Sequence, residues 1–388
     1  MAMTERDRFS SLLSYRYFDP ESKIAILDDV THPAAGFVIA YSPLLVAGQD
    51  AELQFEAVIN ACPPNTVLQF GKLSTNQVAD YVDSWTYSRI KGTKDPVLRQ
   101  MALRRREFMM ATAAGPSLLP ETSLHPRLVQ YYLSVRVPFT GDMSSSPEME
   151  SWLLSIQDLR NALQGILRGI GVQTEVLNEQ ELKFLLRELL NPHLSSQERI
   201  ARSAKGVPYY QDLVDGETRI ALGENGSIGF SRESGKAPPI VMVPITVDAP
   251  PSSLNLYDMA RVLGHPSSRE DRITAPYWAY TNIHVLNFDD ARDSLTAKFG
   301  VLNKQTMSDS AWVRSMMGYL FERKQHVETL LSETRTGRKL VRAYTGLNIY
   351  APPEQAKIQA EQAMGLWRQA GFRVSAERYS SRPLIIAS

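Results

Sequence analysis

Hydrophobic positions recur along this chain in two rhythms, and the switch between them marks its elements. Short Ile- and Val-rich runs at Lys23–Leu27 and Gly36–Ala40, parted by the His32-Pro33 turn, read as strands. A helix follows from Asp50 with Leu53, Ala57, Val58 and Ala61 at helical spacing, and Pro63-Pro64 stops it. Val67–Phe70 reads as a strand and Thr75–Arg89 as a helix through Val78, Tyr81, Val82 and Trp85. A second helix, about Asp95–Ala113, ends near Gly115-Pro116. Leu128–Val137 alternates, with Val129, Tyr131, Leu133, Val135 and Val137 opposing Leu128, Gln130, Tyr132, Ser134 and Arg136, which predicts a well-paired strand.

A polar hinge at Gly141–Ser146 precedes an amphipathic helix, Pro147–Gly169, whose apolar face runs from Met149 through Ile156 and Leu163 to Leu167. Val172–Val176 predicts a short strand, Glu179–Leu190 a helix, and the polar stretch Ser195–Asp215 the loosest segment. Thr218–Leu222 and Ser227–Ser231 flank Asn225-Gly226, a hairpin signal because both residue types tolerate positive φ. Ile240–Val247 and Pro276–Asn287 read as buried strands, Asp289–Phe299 as a helix, and about 308–333 as one long amphipathic helix striped by Val313, Met317, Leu320, Val327 and Leu331. Strand, helix and strand close the chain at Lys339–Tyr350, Pro353–Ala370 and Arg373–Arg378, and no internal repeat is visible. The pattern predicts an α+β fold: mixed sheets with helices packed on them, in two lobes, 1–145 and 146–388, with no P-loop domain.

Composition narrows the chemistry. The chain has 388 residues, 43% hydrophobic and 22% charged, as ordinary globular proteins have. Its 42 bases and 42 acids cancel, so attraction to nucleic acid or anionic lipid requires a local patch. One cysteine, Cys62, cannot form an internal disulfide or a thiolate metal cage, in keeping with a reducing compartment. No secretory signal opens the chain, and the longest apolar stretch, Ala35–Gly48, is too short for a membrane helix and reads as a buried strand and turn.

Candidate motifs weigh unequally. Gly229–Lys236 has the glycines and lysine of a phosphate loop. However, five residues part the glycines, Ala237 follows the lysine, and Pro238-Pro239 forbid the helix that would hold phosphate. Asp289-Asp290-Ala291-Arg292-Asp293 has a Mg²⁺-binding spacing, although acids at a helix start are accounted for by capping and the macrodipole. Glu322 and His326 lie one helical turn apart with no second histidine nearby, which reads as a surface pair. No setting for a nucleophile surrounds any histidine, and a hydrolase would need a deep pocket of convergent titratable groups. The basic run is different: Arg89, Lys91, Lys94, Arg99, Arg104, Arg105 and Arg106 are opposed only by Asp95. It could bind nucleic acid through the Arg99–Arg106 helix, contact an acidic partner subunit, or form a solvated face.

Several segments, in order, resemble the N-terminal region of the TraC-type (F-type) conjugative transfer ATPases of type IV secretion systems. They are Ser11-Leu12-Leu13-Ser14-Tyr15-Arg16-Tyr17-Phe18-Asp19-Pro20-Glu21-Ser22, then Gly36-Phe37 with its strand and the Gly48 turn. Met109-Met110-Ala111-Thr112-Ala113-Ala114 before a Pro-Leu-rich loop follows, and finally Trp367-Arg368-Gln369-Ala370-Gly371-Phe372-Arg373 before an apolar strand. The resemblance implies a bacterial cytoplasmic ATPase, often hexameric, docked peripherally on inner-membrane components and energising pilus assembly and DNA and protein transfer. This half is expected to dock and oligomerise, with no catalytic, cofactor-binding or metal-ligating residue of its own. A motor domain carrying the Walker motifs, ATP and Mg²⁺ is expected after residue 388; the apolar end Leu384–Ala387 reads as the cut edge of a longer protein.

Overall fold

The computed structural model describes residues 10, 13–28, 33–43, 49–119, 124–141, 145–195, 198, 209–223, 225–232, 238–251, 262–263, 272–306 and 318–377. The strands are β1 (Tyr15–Asp19), β2 (Ile24–Asp28), β3 (Pro33–Tyr41), β4 (Val67–Thr75), β5 (Leu128–Pro138), β6 (Thr174–Val176), β7 (Arg219–Leu222), β8 (Ile228–Ser231), β9 (Ile240–Ala249), β10 (Tyr277–Val285), β11 (Val341–Ala351) and β12 (Arg373–Ala376). The helices are α1 (Gln49–Ala61), α2 (Ala79–Gly92), α3 (Pro96–Ala114), α4 (Ser146–Gly169), α5 (Glu179–Leu190), α6 (Phe288–Gln305), α7 (Gly318–Arg335) and α8 (Pro353–Gln369).

All twelve strands join one sheet in the order β1-β2-β3-β5-β4-β10-β11-β9-β8-β7, with β6 also on β3 and β12 also on β9. The α+β class holds. Where the pattern suggested mixed sheets, every pairing among the described strands is antiparallel. Strands from both sides of residue 145 pair with one another, as β4 does with β10 over Val67–Ser74.

The strand order contains a repeat that the sequence does not display. A hairpin, β1-β2, leads into β3, α1, β4, the α2–α3 insertion, β5, α4 and β6. A second hairpin, β7-β8, leads into β9, β10, the α6 and α7 insertion, β11, α8 and β12. Within each half the last four-strand set lies in the order 4-1-3-2, namely β6-β3-β5-β4 and β12-β9-β11-β10, which is the ferredoxin-like arrangement. The halves meet through their second strands, β4 and β10, related by a local two-fold. Because those strands run antiparallel, the two helical insertions leave from opposite ends of the sheet.

Residue parity assigns the faces. Phe37, Ile39, Leu68, Leu133 and Val135 pack with Val58 of α1 and Ile156, Leu159, Leu163 and Leu167 of α4. On the same side Tyr277, Ala279, Leu347 and Ile349 pack with Ala360, Ala363, Met364 and Trp367 of α8. Fully burying side chains such as Ile156 or Leu163 contributes about 1.5–3 kcal/mol each. The opposite face, carrying Leu73, Tyr132, Trp278 and Tyr280, is covered by Leu182, Leu185, Leu189 and Leu190 of α5. Tyr209, Leu213 and Val214 join that cluster, so this part of the expected loose segment is packed rather than loose.

A buried polar chain stitches the seam. The Trp278 indole Nε1 donates to Tyr132 Oη at 2.7 Å, and that hydroxyl donates to Gln69 Oε1 at 2.9 Å. Gln69 Nε2 in turn donates to Asn282 Oδ1 at 3.0 Å. Beside it, glycines open space for rings: a Cβ at Gly71 or Gly346 would fall within the Tyr132 or Tyr280 ring.

Most predicted elements are present. The Asn225-Gly226 hairpin is the β7-β8 turn, with Gly226 at φ 75°. β1 was not anticipated. The long helix predicted at about 308–333 is described from Gly318, residues 307–317 lying outside the described set. The longest described helix is instead α4. Residues 378–388 also lie outside it.

Candidate docking surface

The basic run falls on one feature, the antiparallel α2–α3 hairpin inserted between β4 and β5. Local chemistry builds it. Asp95 caps α3, its carboxylate accepting from the Val97 N–H at 2.8 Å, and Pro96 occupies the first turn. α2 carries Asp80 in its first turn and Arg89 and Lys91 in its last, each complementing the macrodipole. The hairpin holds together through a small cluster of Val78, Val82 and Ala113, packed by Met109, Met110 and Leu128.

Its outer surface is apolar as well as basic. Tyr81, Tyr87, Val97, Leu98, Met101, Leu103 and Phe108 are all exposed, Met101 by 61%. Val97, Met101, Arg104 and Phe108 follow the 4-3-4 spacing of a helix–helix seam along one side of α3. Single exposed apolar residues need no explanation, but a stripe of them along one helix makes this side of α3 the candidate contact surface.

The seven predicted cations divide by role. Arg106 forms an ion pair with Asp83 that ties α3 to α2. The Arg99 Nε donates to the Thr93 carbonyl at 3.0 Å. Arg89 and Arg105 lie over the Trp85 ring, 3.9 and 5.3 Å from its centroid, and Lys91 lies 5.8 Å from that of Tyr87. Lys94 and Arg104 are exposed. The structure therefore gathers all seven on one arm and uses Arg106 and Arg99 to shape it.

Arg127 at the arm's root was not anticipated. Its guanidinium donates to the Ala113 carbonyl at 2.7 Å and the Thr274 carbonyl at 2.6 Å, fixing the end of α3 to the second half. Burial lowers its pKa to about 10, leaving it charged at neutral pH. It borders a cavity of about 660 Å³, also lined by His125, Glu188, Gln355 and Gln359. There His125 Nδ1 lies 3.1 Å from the Thr112 carbonyl, so this ring also serves the arm's root.

The remaining motifs take their simpler readings. Asn287 caps α6, accepting from the Asp289 and Asp290 N–H groups, and Asp289 and Asp293 point to solvent. Glu322 and His326 are exposed on α7. No cluster of three metal-ligating side chains occurs among the described residues. In the phosphate-loop-like motif, Gly229 is a β8 strand residue whose Cβ position is filled by Pro238. Residues 233–237 of that motif lie outside the described set. No helix among the described residues is long and apolar enough to cross a membrane.

Among known families, the model for TraC protein aligns with residues 9–387. No curated protein matches the chain.

Proposed function

This chain belongs to the TraC family of conjugative transfer proteins, and from that premise we propose that its 388 residues form a docking and assembly body without a nucleotide site. In this reading ATP and Mg²⁺ belong to a motor domain outside these residues. The body seats that motor, as part of a hexamer, on inner-membrane components of a type IV secretion machine at the cytoplasmic face. The observation that carries the reading is the α2–α3 arm, whose Val97, Met101 and Phe108 are exposed on a helix that the sheet does not need for its own core. Apolar surface left uncovered on a projecting element gains free energy only when a partner covers it.

The test replaces Val97, Met101 and Phe108 together by Ser. Circular dichroism should be unchanged, while the fraction of the protein sedimenting with the assembled conjugation machinery should fall sharply. Unchanged sedimentation would refute the arm as the docking element. A second reading, nucleic-acid binding by Arg99–Arg106, is favoured by the exposure of Arg104 and Arg105. It predicts a salt-dependent shift with single-stranded DNA, lost on charge reversal there.

A further inference from the structure

We infer that the basic arm of one copy docks on the α1–α4 layer of a second copy. This deepens the docking reading and rests on it, naming the arm's partner. The chain is neutral overall, yet its charge is segregated. Positions 89–106 hold seven bases against one acid. Helix α1 carries Asp50, Glu52 and Glu56 with no base, and α4 carries Glu148, Glu150 and Asp158 in its first four turns; its bases follow, Arg160, which donates to the Ser22 carbonyl, and Arg168 in the last turn. These helices pack side by side on one sheet face, so the exposed Glu56, Glu148, Glu150 and Asp158 share one layer. Within its own chain Glu56 lies 3.7 Å from Arg338, and Glu150 accepts from the Ser146 hydroxyl at 3.5 Å.

The apolar content matches as well. Leu53 on α1 and Leu154 on α4 are exposed by 61% and 60%, set among those acids, as Val97, Met101 and Phe108 are set among the arginines. A seam with Arg104 at one of its core positions selects a helical partner that presents a carboxylate there. The arm does not cover the layer of its own chain, since both surfaces remain exposed. A nucleic acid would answer the charge and leave the apolar stripe uncovered, and the Trp85 ring it would stack on already carries Arg89 and Arg105. Because arm and layer are different surfaces, the contact either occurs twice across a two-fold, in an isologous dimer, or repeats head to tail into a ring.

Sedimentation equilibrium of the 388-residue chain tests this. Wild type should self-associate, and R104E/R105E and E150R/D158R should each weaken association by about ten-fold or more. Mixing the two reversed variants should restore association between them, since each supplies the charge the other lacks. All four positions are exposed, and thermal melting should confirm that both variants fold; Leu154→Arg serves as a second layer variant. Wild type remaining monomeric at about 100 μM, variants associating like wild type, or a mixture that stays apart would each overturn the inference. Loss of machine assembly by R104E/R105E with self-association unchanged would overturn this partner while leaving the docking reading intact.

Discussion

Removing one oxygen atom at the seam should destabilise the whole sheet. Tyr132→Phe deletes the hydroxyl that accepts from the Trp278 indole at 2.7 Å and donates to Gln69 at 2.9 Å. Tyr132 is 3% exposed and Trp278 4%, so water cannot replace the lost partner of the indole N–H. A buried donor stripped of its partner costs about 1–3 kcal/mol, and losing the hydrogen bond to Gln69 adds about 1. The sum, about 2–4 kcal/mol, is a large share of the 5–15 kcal/mol that usually separates folded from unfolded chains. Urea unfolding followed by far-UV circular dichroism measures it. Trp278→Phe completes a double-mutant cycle, and the double variant should cost less than the sum of the singles by about 1–3 kcal/mol. A Tyr132→Phe chain within about 0.5 kcal/mol of wild type would refute the claim that this network joins the halves.

Three further outcomes follow from particular side chains. Gly71→Ala should cost about 1–3 kcal/mol or more in the same unfolding assay, because the new methyl would overlap the Tyr132 ring. Lys72 lies half-buried between Tyr131 and Tyr277, its ammonium donating to the Leu263 carbonyl, and desolvation lowers its pKa to about 8. Between there and the unfolded value near 10.5 the unfolded chain binds more protons, so stability rises with pH. Wild type should gain about 2 kcal/mol over Lys72→Met between about pH 7.5 and 9.5. The Cys62 thiol donates to the Val58 carbonyl at 3.2 Å, and burial pushes its pKa up to about 12. Thiol reagents at about pH 8 should therefore leave it unmodified until the chain unfolds.

Periodicity made the individual elements legible, because each face is paid for locally by burial: Leu128–Val137 alternates, and Pro147–Gly169 carries its leucines at helical spacing. Turn and cap chemistry was equally readable, as at Asn225-Gly226 and at the start of α6. The repeat was not, because the halves share strand order without sharing residues. In the first half the glycine of the Gly–Tyr contact is Gly71 on the second strand; in the second it is Gly346 on the third. β1 is not legible because two successive exposed residues, Arg16 and Tyr17, break its alternation on an edge strand whose register shifts between Tyr15 and Tyr17. The charge of the arm was visible in the sequence. Its apolar stripe was not, since Val97, Met101 and Phe108 look like core positions until the sheet is seen to leave them uncovered.

DNA transfer between cells puts the arm's role to the most direct trial. Cells carrying M101D/F108D, with protein abundance matched to wild type, should show transfer reduced by about a hundred-fold or more, because the stripe can no longer be buried against a partner. Transfer at the wild-type frequency would contradict the account.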